Sequence, residues 1–170
     1  MQPLGGAAIM RVLPEWNVRV PQSSSIVLLG WREWVSLPDL MAGRLRAKID
    51  TGARSSSLHV ERQWRFFEQG VPWIGFVIKP RRKSDVLVEA CAPLLDERVV
   101  SDSGGHRVRR PFICARLDVA GEQRTIELNL ADRRNMLFPL LVGRSALSGF
   151  AVDPVRSFLG KTLALHLGQP

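Results

Sequence analysis

The chain is poor in the residues that staple or anchor a fold from outside. It has only two cysteines, Cys91 and Cys114, too few for a disulfide framework, and both are expected to be small buried apolar groups. No stretch approaches the ~18 consecutive apolar residues of a membrane-spanning helix, so no membrane partner is expected. The start, Met1 to Arg11, lacks a basic leader, and Arg11 cuts its apolar run short; it makes a poor signal peptide, and a cytoplasmic protein is expected. There is no internal repeat. Acidic residues are also in deficit, with 16 Asp plus Glu against 24 Lys plus Arg, a net charge of +8 and a pI near 10.9. Such a surface attracts polyanions, whether nucleic acid, an anionic membrane or an acidic protein segment. Charge alone does not choose among them.

What is there suffices for one globular domain. The 170 residues are 45% hydrophobic and 24% charged, enough to bury a core and too apolar for intrinsic disorder. That length excludes an enzyme whose active site needs two full lobes from one chain. Residues 1–25, with Pro3, Pro14, Pro21 and three serines before Ile26, read as a loosely attached extension; 26–165 read as the domain and 166–170 as a tail. From Ile26 onward the grammar is β. Arg44 to Asp50 alternates at period two with Leu45, Ala47 and Ile49 on one face. Phe112 to Val119 repeats this with Ile113, Ala115, Leu117 and Val119. A turn at Ala120-Gly121 then returns the chain through Ile126, Leu128 and Leu130. Trp73 to Lys79 follows a turn at Gln69-Gly70, Val86–Val88 and Glu97–Val100 are shorter candidates, and Val60–Glu68 fits helix or strand. The best helix is short, Arg144 to Leu147. Many short strands with Gly-bearing turns predict an all-β domain, closed or sandwiched. Trp31 and Trp34 straddle one strand, so at least one is expected in the core.

Asp50-Thr51-Gly52-Ala53 ends the cleanest strand. An Asp-Thr-Gly triplet arises by chance in about three or four of every hundred chains of this length, and taken alone it reads as a β-turn. It is followed, in order, by a hairpin with a glycine tip (Val99 to Val108, including Gly104 and Gly105), a strand pair, and the apolar run Leu140-Leu141-Val142 into Gly143 and the short helix. That order resembles the retropepsin-like aspartic proteases, whose corresponding parts are the catalytic loop, the flap, and the strand and helix that buttress the loop. A closer resemblance is to a bacterial subfamily, through Gly30 to Pro38, Ala47 to His59, Arg109-Arg110-Pro111, Ala131-Asp132-Arg133, Phe138 to Arg144, Val152-Asp153-Pro154 and Ser157-Phe158-Leu159. Its members are often labelled ATP-dependent zinc proteases. Some are associated with the ligase that adds glutamates to a ribosomal protein, and they trim those tails.

The resemblance implies a retropepsin-like closed β-barrel or sandwich with a glycine-tipped flap. It implies an aspartic peptidase in which Asp50 supplies the carboxylate, Thr51 ties two loops together and Gly52 lets substrate backbone come close. Such chemistry needs two carboxylates sharing one proton, yet only one Asp-Thr-Gly is present. Asp102-Ser103 lacks an apolar strand-helix partner, so the second carboxylate must come from a second copy in a two-fold homodimer. Leu141, Val142, Gly143 and Arg144 would support the loop. Ala53, Arg54, Gly104, Gly105, Arg107 and Arg109 would contact substrate, while His106 is a substrate contact or a solvated tip. Viral retropepsins carry an acidic residue where Arg54 stands, and arginines there suit carboxylate side chains. The inversion leaves Arg144 needing another carboxylate, with Asp153 and Asp132 as the candidates. Arg110 alone reads as a solvated strand position.

The inherited label finds little support in the residues. His59, His106 and His166 are far apart and neither cysteine has a Cys-x-x-Cys partner, so no metal site is read. Gly160-Lys161-Thr162 resembles the end of a P-loop, but Val155 stands where glycine is required; no cofactor is expected. Lys79-Pro80-Arg81-Arg82-Lys83 reads as a solvated loop, or as a contact to RNA or a ribosome. The five tryptophans follow no aromatic RNA-binding motif. The alternative to a peptidase acting on an acidic peptide is a basic, non-catalytic adaptor that binds peptide or ribosome on the same scaffold.

Overall fold

The computed structural model describes residues 25–164 apart from 82, 102–104 and 133–136. All but the last residue of the expected N-terminal extension, the C-terminal tail with His166, and the positions Asp102, Ser103, Gly104 and Arg133 lie outside the described residues. In chain order the strands are β1 Ser25–Gly30, β2 Arg32–Ser36, β3 Leu45–Asp50, β4 Ser56–His59, β5 Arg62–Glu68, β6 Val71–Ile78, β7 Val88–Pro93, β8 Asp96–Ser101, β9 Arg107–Val119, β10 Glu122–Ala131, β11 Leu140–Gly143, β12 Phe150–Asp153 and β13 Lys161–Ala164. The expected short helix is a single 3-10 turn, Arg144–Ala146.

The domain is a closed β-barrel. Strands run in the order β10-β4-β11-β3-β2-β9, and pairing between β9 and β10 joins the two ends. Closure follows from the alternation in the sequence: Leu45, Ala47 and Ile49 of β3, Ile113, Ala115 and Leu117 of β9, and Ile126, Leu128 and Leu130 of β10 all point into one core. Ala120 (φ 56°) and Gly121 (φ 82°) make the tight turn between β9 and β10 with two successive left-handed residues, the geometry that matches strand twist in a two-residue hairpin. Strand β8 extends the sheet by pairing with the first part of β9, from Asp96 opposite Phe112 to Ser101 opposite Arg107. A second sheet, β12-β1-β13, and an antiparallel meander, β5-β6-β7, complete the molecule.

Several expectations are corrected. Cys91 and Cys114 are both exposed, because each occupies the solvent-facing register of its strand, Cys114 between the inward Ile113 and Ala115. Neither Trp31 nor Trp34 is in the core: Trp31 is half-buried edge-on to Phe138, and Trp34 is 40% exposed and stacked on Phe158. Residues 62–68 are strand, and the strand sought at Val86 begins only at Val88, leaving Val86 and Leu87 exposed. Lys161 and Thr162 open strand β13 against Leu28 and Val27.

One buried charge organises the seam between barrel and second sheet. Glu33, 4% exposed on β2, accepts through Oε1 the backbone N–H groups of Gly30 (2.6 Å), Leu159 (2.8 Å) and Gly160 (3.1 Å). A carboxylate so placed holds the chain leaving β12 against the β1–β2 corner. Gly30 must lack a side chain there, since a Cβ would lie 2.5 Å from the Arg156 carbonyl oxygen. Hydrogen bonds to a charged acceptor are worth about 1.5–3 kcal/mol each and are not additive. Glu33→Ala is therefore expected to lower the unfolding free energy by about 3–5 kcal/mol, read from urea denaturation. Glu33→Gln, which keeps the acceptor oxygen, should lose less.

Candidate active site

Asp50 is the last residue of β3, and its loop is clamped from one side by β11. The two strands run parallel with Ile49 opposite Val142 and Asp50 opposite Gly143. Beyond the strands the clamp continues through the backbone, with Arg144 N–H donating to the Ala53 carbonyl (2.9 Å) and Ser145 N–H to that of Arg54 (3.0 Å). Gly143 N–H donates to Ser56 Oγ (3.1 Å). Gly143 has to be glycine: a Cβ would stand 2.6 Å from the backbone of Ser55. Within the loop, Asp50 Oδ1 accepts the N–H groups of Gly52 (3.1 Å) and Ala53 (3.2 Å). Its other oxygen, Oδ2, lies 3.5 Å from Lys48 Nζ, two residues back on the same face of β3.

The carboxylate partner sought for Arg144 is replaced by carbonyl oxygens. Arg144 Nη1 donates to the carbonyls of Thr51 (3.0 Å) and Gly52 (2.8 Å). Asp153 is taken by Arg156, which donates Nε (2.6 Å) and its backbone N–H (2.9 Å) to it. Those hydrogen bonds, led by the backbone one, hold the Asp153 carboxyl down at about 2. The acidic loop residue of the viral enzymes is Arg54 here, so the Arg144 guanidinium has turned to the peptide groups of the loop itself.

Between this loop and β8–β9 lies an open groove of about 1100 Å³. Asp50, Gly52, Ala53, Arg54 and Leu141 line it among the residues expected at the site. Thr51 is exposed at the loop's outer edge, while Val142 and Gly143 are buried behind it. His106, Arg107 and Arg109 are exposed on the hairpin away from the lining; Arg109 lies 3.8 Å from Glu97. Gly105 is at the hairpin tip with φ 82°, and Gly104 is outside the described residues. The cations that do line the groove are Lys48, Arg54, Arg98 and Arg110, against the carboxylates of Asp50 and Glu127. Arg98 is bound to Glu127 and Asp96, which push its pKa up from the ordinary guanidinium value, Glu127 most.

Arg110 corrects the reading of a solvated strand position. It is half-buried on the groove wall and donates Nη1 to Asn129 Oδ1 (3.2 Å). Asn129 was not foreseen, and it is the hub of the groove floor. Only 1% exposed, it accepts Ser57 Oγ–H (2.9 Å) and donates Nδ2 to Ser55 Oγ (3.3 Å) and the Ser56 carbonyl (2.7 Å). The signal was available: an asparagine is disfavoured inside a strand, and Asn129 and Glu127 share the β10 face opposite Ile126, Leu128 and Leu130. No three His, Cys, Asp or Glu side chains converge among the described residues. His59 points Nδ1 at the Ala131 carbonyl (3.3 Å) and Nε2 toward Glu61 (3.4 Å).

Comparison with known proteins bears on the family and the fold. The family model of the retropepsin-like aspartic endopeptidase RimB matches residues 28–162. The chain belongs to the RimB-like family. Relatives include proteins named "Probable alpha-L-glutamate ligase" from Shewanella pealeana, 32% identical over 86% of this chain and 33% of theirs, and from Parasynechococcus marenigrum, 34% identical over 75% and 28%. The chain thus spans about a third of the length of these curated relatives. A crystal structure of a protein of unknown function from Legionella pneumophila, Lpg0085, superposes with a TM-score of 0.66 at 29% identity, covering 79% of this chain and 98% of that one. The closed all-β architecture is that of the family. No helix among the described residues is long and apolar enough to cross a membrane.

The Arg144 clamp makes a local prediction. Arg144→Ala should speed amide exchange at Gly52 and Ala53 in hydrogen-exchange measurements, because the loop loses its grip on two carbonyls. The guanidinium is exposed, so global stability should fall by only about 1–2 kcal/mol.

Proposed function

We propose that this chain is an aspartic peptidase that cleaves acidic, glutamate-rich peptide segments as a two-fold homodimer. The observation that carries the proposal is the Asp50 carboxylate at the wall of a groove in which four cationic side chains meet two carboxylates. The groove's second carboxylate, Glu127, is committed to Arg98 at 3.2 Å or less through both its oxygens, which argues against a pair formed within one chain. Two Asp50 side chains brought together across an axis, with Thr51 and Gly52 exposed toward the partner, would share a single proton, since two carboxylates in contact do not both ionise. The ionised one takes a proton from water as it attacks the peptide carbon; the protonated one polarises the carbonyl oxygen and then protonates the leaving amine. Arg54 is the group suited to bind substrate carboxylates, its guanidinium presenting a planar fork of N–H donors at the loop. The glutamate ligases that contain a matching region make an oligoglutamate segment the natural candidate substrate, and glutamate tails on a ribosomal protein are one such segment.

The test uses a peptide ending in a run of glutamates, incubated with EDTA and without ATP and followed by mass spectrometry. The wild-type chain should cleave it. Asp50→Asn should lower the rate by about a thousandfold or more while sedimentation still shows a dimer. Arg54→Gln should raise KM for the glutamate peptide and leave a glutamine analogue unaffected. Cleavage by Asp50→Asn at the wild-type rate, or a strictly monomeric active species, would exclude the shared-aspartate mechanism; tight peptide binding without cleavage would favour an adaptor.

A further inference from the structure

The meander β5-β6-β7 carries an assembly that peptide cleavage does not use. One face packs on the barrel through Ile74, Phe76 and Ile78. The register of the other face places Trp64 opposite Gly75 and Phe66 opposite Trp73, with Cys91 on the far side of Gly75. Aromatic residues scattered in the sequence are thereby gathered on one open surface, each only half-buried. The Trp64 indole lies directly on the bare backbone of Gly75, where a Cβ would meet its ring at 2.3 Å. The Phe66 and Trp73 rings follow, 6.1 Å apart and tilted by 34°. A shallow depression of about 400 Å³ is lined by Trp64, Phe66, Ala90, Cys91 and the carboxylate-bearing Glu89.

Charge is concentrated at one end of this face. Arg62, opposite Val77, holds its guanidinium 5.2 Å from the Trp64 ring centre. Two residues after Val77 the chain enters the loop Lys79-Pro80-Arg81-Arg82-Lys83, which leads toward β7. Against the described cations Arg62, Lys79, Arg81 and Lys83, this end carries Glu89, 3.8 Å from Arg62, Asp85, and Glu61, which faces His59. Half-buried rings beside a cationic margin are the two requirements for holding single-stranded nucleic acid: bases stack on the rings while the backbone runs along the cations. An acidic protein segment would match the basic margin but leave the row of rings without bases to stack on them, and a second copy of this chain would bring two such margins together.

We propose that the outer face of β5-β6-β7 is a docking surface for single-stranded RNA, separate from the groove that holds Asp50. The experiment titrates the full chain into a fluorescein-labelled oligouridylate of about 12 nucleotides, reading anisotropy and tryptophan emission across a salt series. Binding should quench tryptophan emission and weaken steeply with salt. Trp64→Ala should weaken it about tenfold. Changing Lys79, Arg81 and Lys83 together to Gln should flatten the salt dependence, and Asp50→Asn should change neither reading. Phe66→Leu carries the same test of stacking if Trp64→Ala does not fold by circular dichroism. The proposal is overturned by absence of binding at low salt. It is equally overturned if duplex DNA competes as well as oligouridylate, if affinity is insensitive to both aromatic substitutions, or if Trp64→Ala dissolves a self-association, which would make the face an interface between copies.

Discussion

The site depends on a single close approach, the parallel pairing of β3 with β11. That pairing sets Gly143 beside Asp50, where a Cβ would run into the backbone of Arg54 and Ser55 as the loop comes round. Because the strands run in the same direction, the chain emerging from β11 follows the Asp50 loop and can hydrogen-bond it residue by residue. Arg144 and Ser145 cap the carbonyls of Ala53 and Arg54, and the Arg144 side chain reaches back over Thr51 and Gly52. An antiparallel neighbour would diverge from the loop at this point. The rest of the barrel supports the pair: β4 packs on the other edge of β11, and the Asn129 network joins β4 to β10 beneath the groove.

Charge in this molecule has three different uses. Glu33 is buried and serves backbone N–H groups, so its role is structural. Arg98, Asp96 and Glu127 neutralise one another on the groove wall and brace β8 against β10. Arg54 and Arg110 stand at the groove, one on the loop and one on the opposite wall, where Arg110 holds Asn129. The net positive charge read from composition therefore does not describe a uniform surface; among the described residues the groove and the basic loop at the end of β6 each carry a share of it.

Local features of the sequence carried the reading as far as local features reach. The alternation in β3, β9 and β10, the turn at Ala120-Gly121 and the run Leu140-Leu141-Val142-Gly143 were legible because each depends on neighbours within a few residues. What was not legible depends on pairing across the chain. Cys91 and Cys114 were misplaced because burial follows from which side of a strand faces the core, and a thiol carries no signal of its own. Asn129 became a hub, and Arg110 a groove residue, only when β9 and β10 were set side by side. The partner of Arg144 was sought among carboxylates because charge is visible in a sequence, whereas a carbonyl oxygen is present at every position and visible at none.

The long strand β9 has a further consequence for how the groove opens. Up to Pro111 its only described ladder partner is β8; from Phe112 onward it is also held by β10. Phe112 is buried and pairs on both sides at once, with Asp96 and with Asn129. The hairpin over the groove is therefore a cantilever: its root is built into the barrel wall, and Pro111, with no N–H to give, marks where the free length begins. A beam held in this way bends and springs back without coming loose. Any movement of the hairpin is thereby carried at its root, where Phe112 is tied to both neighbouring strands.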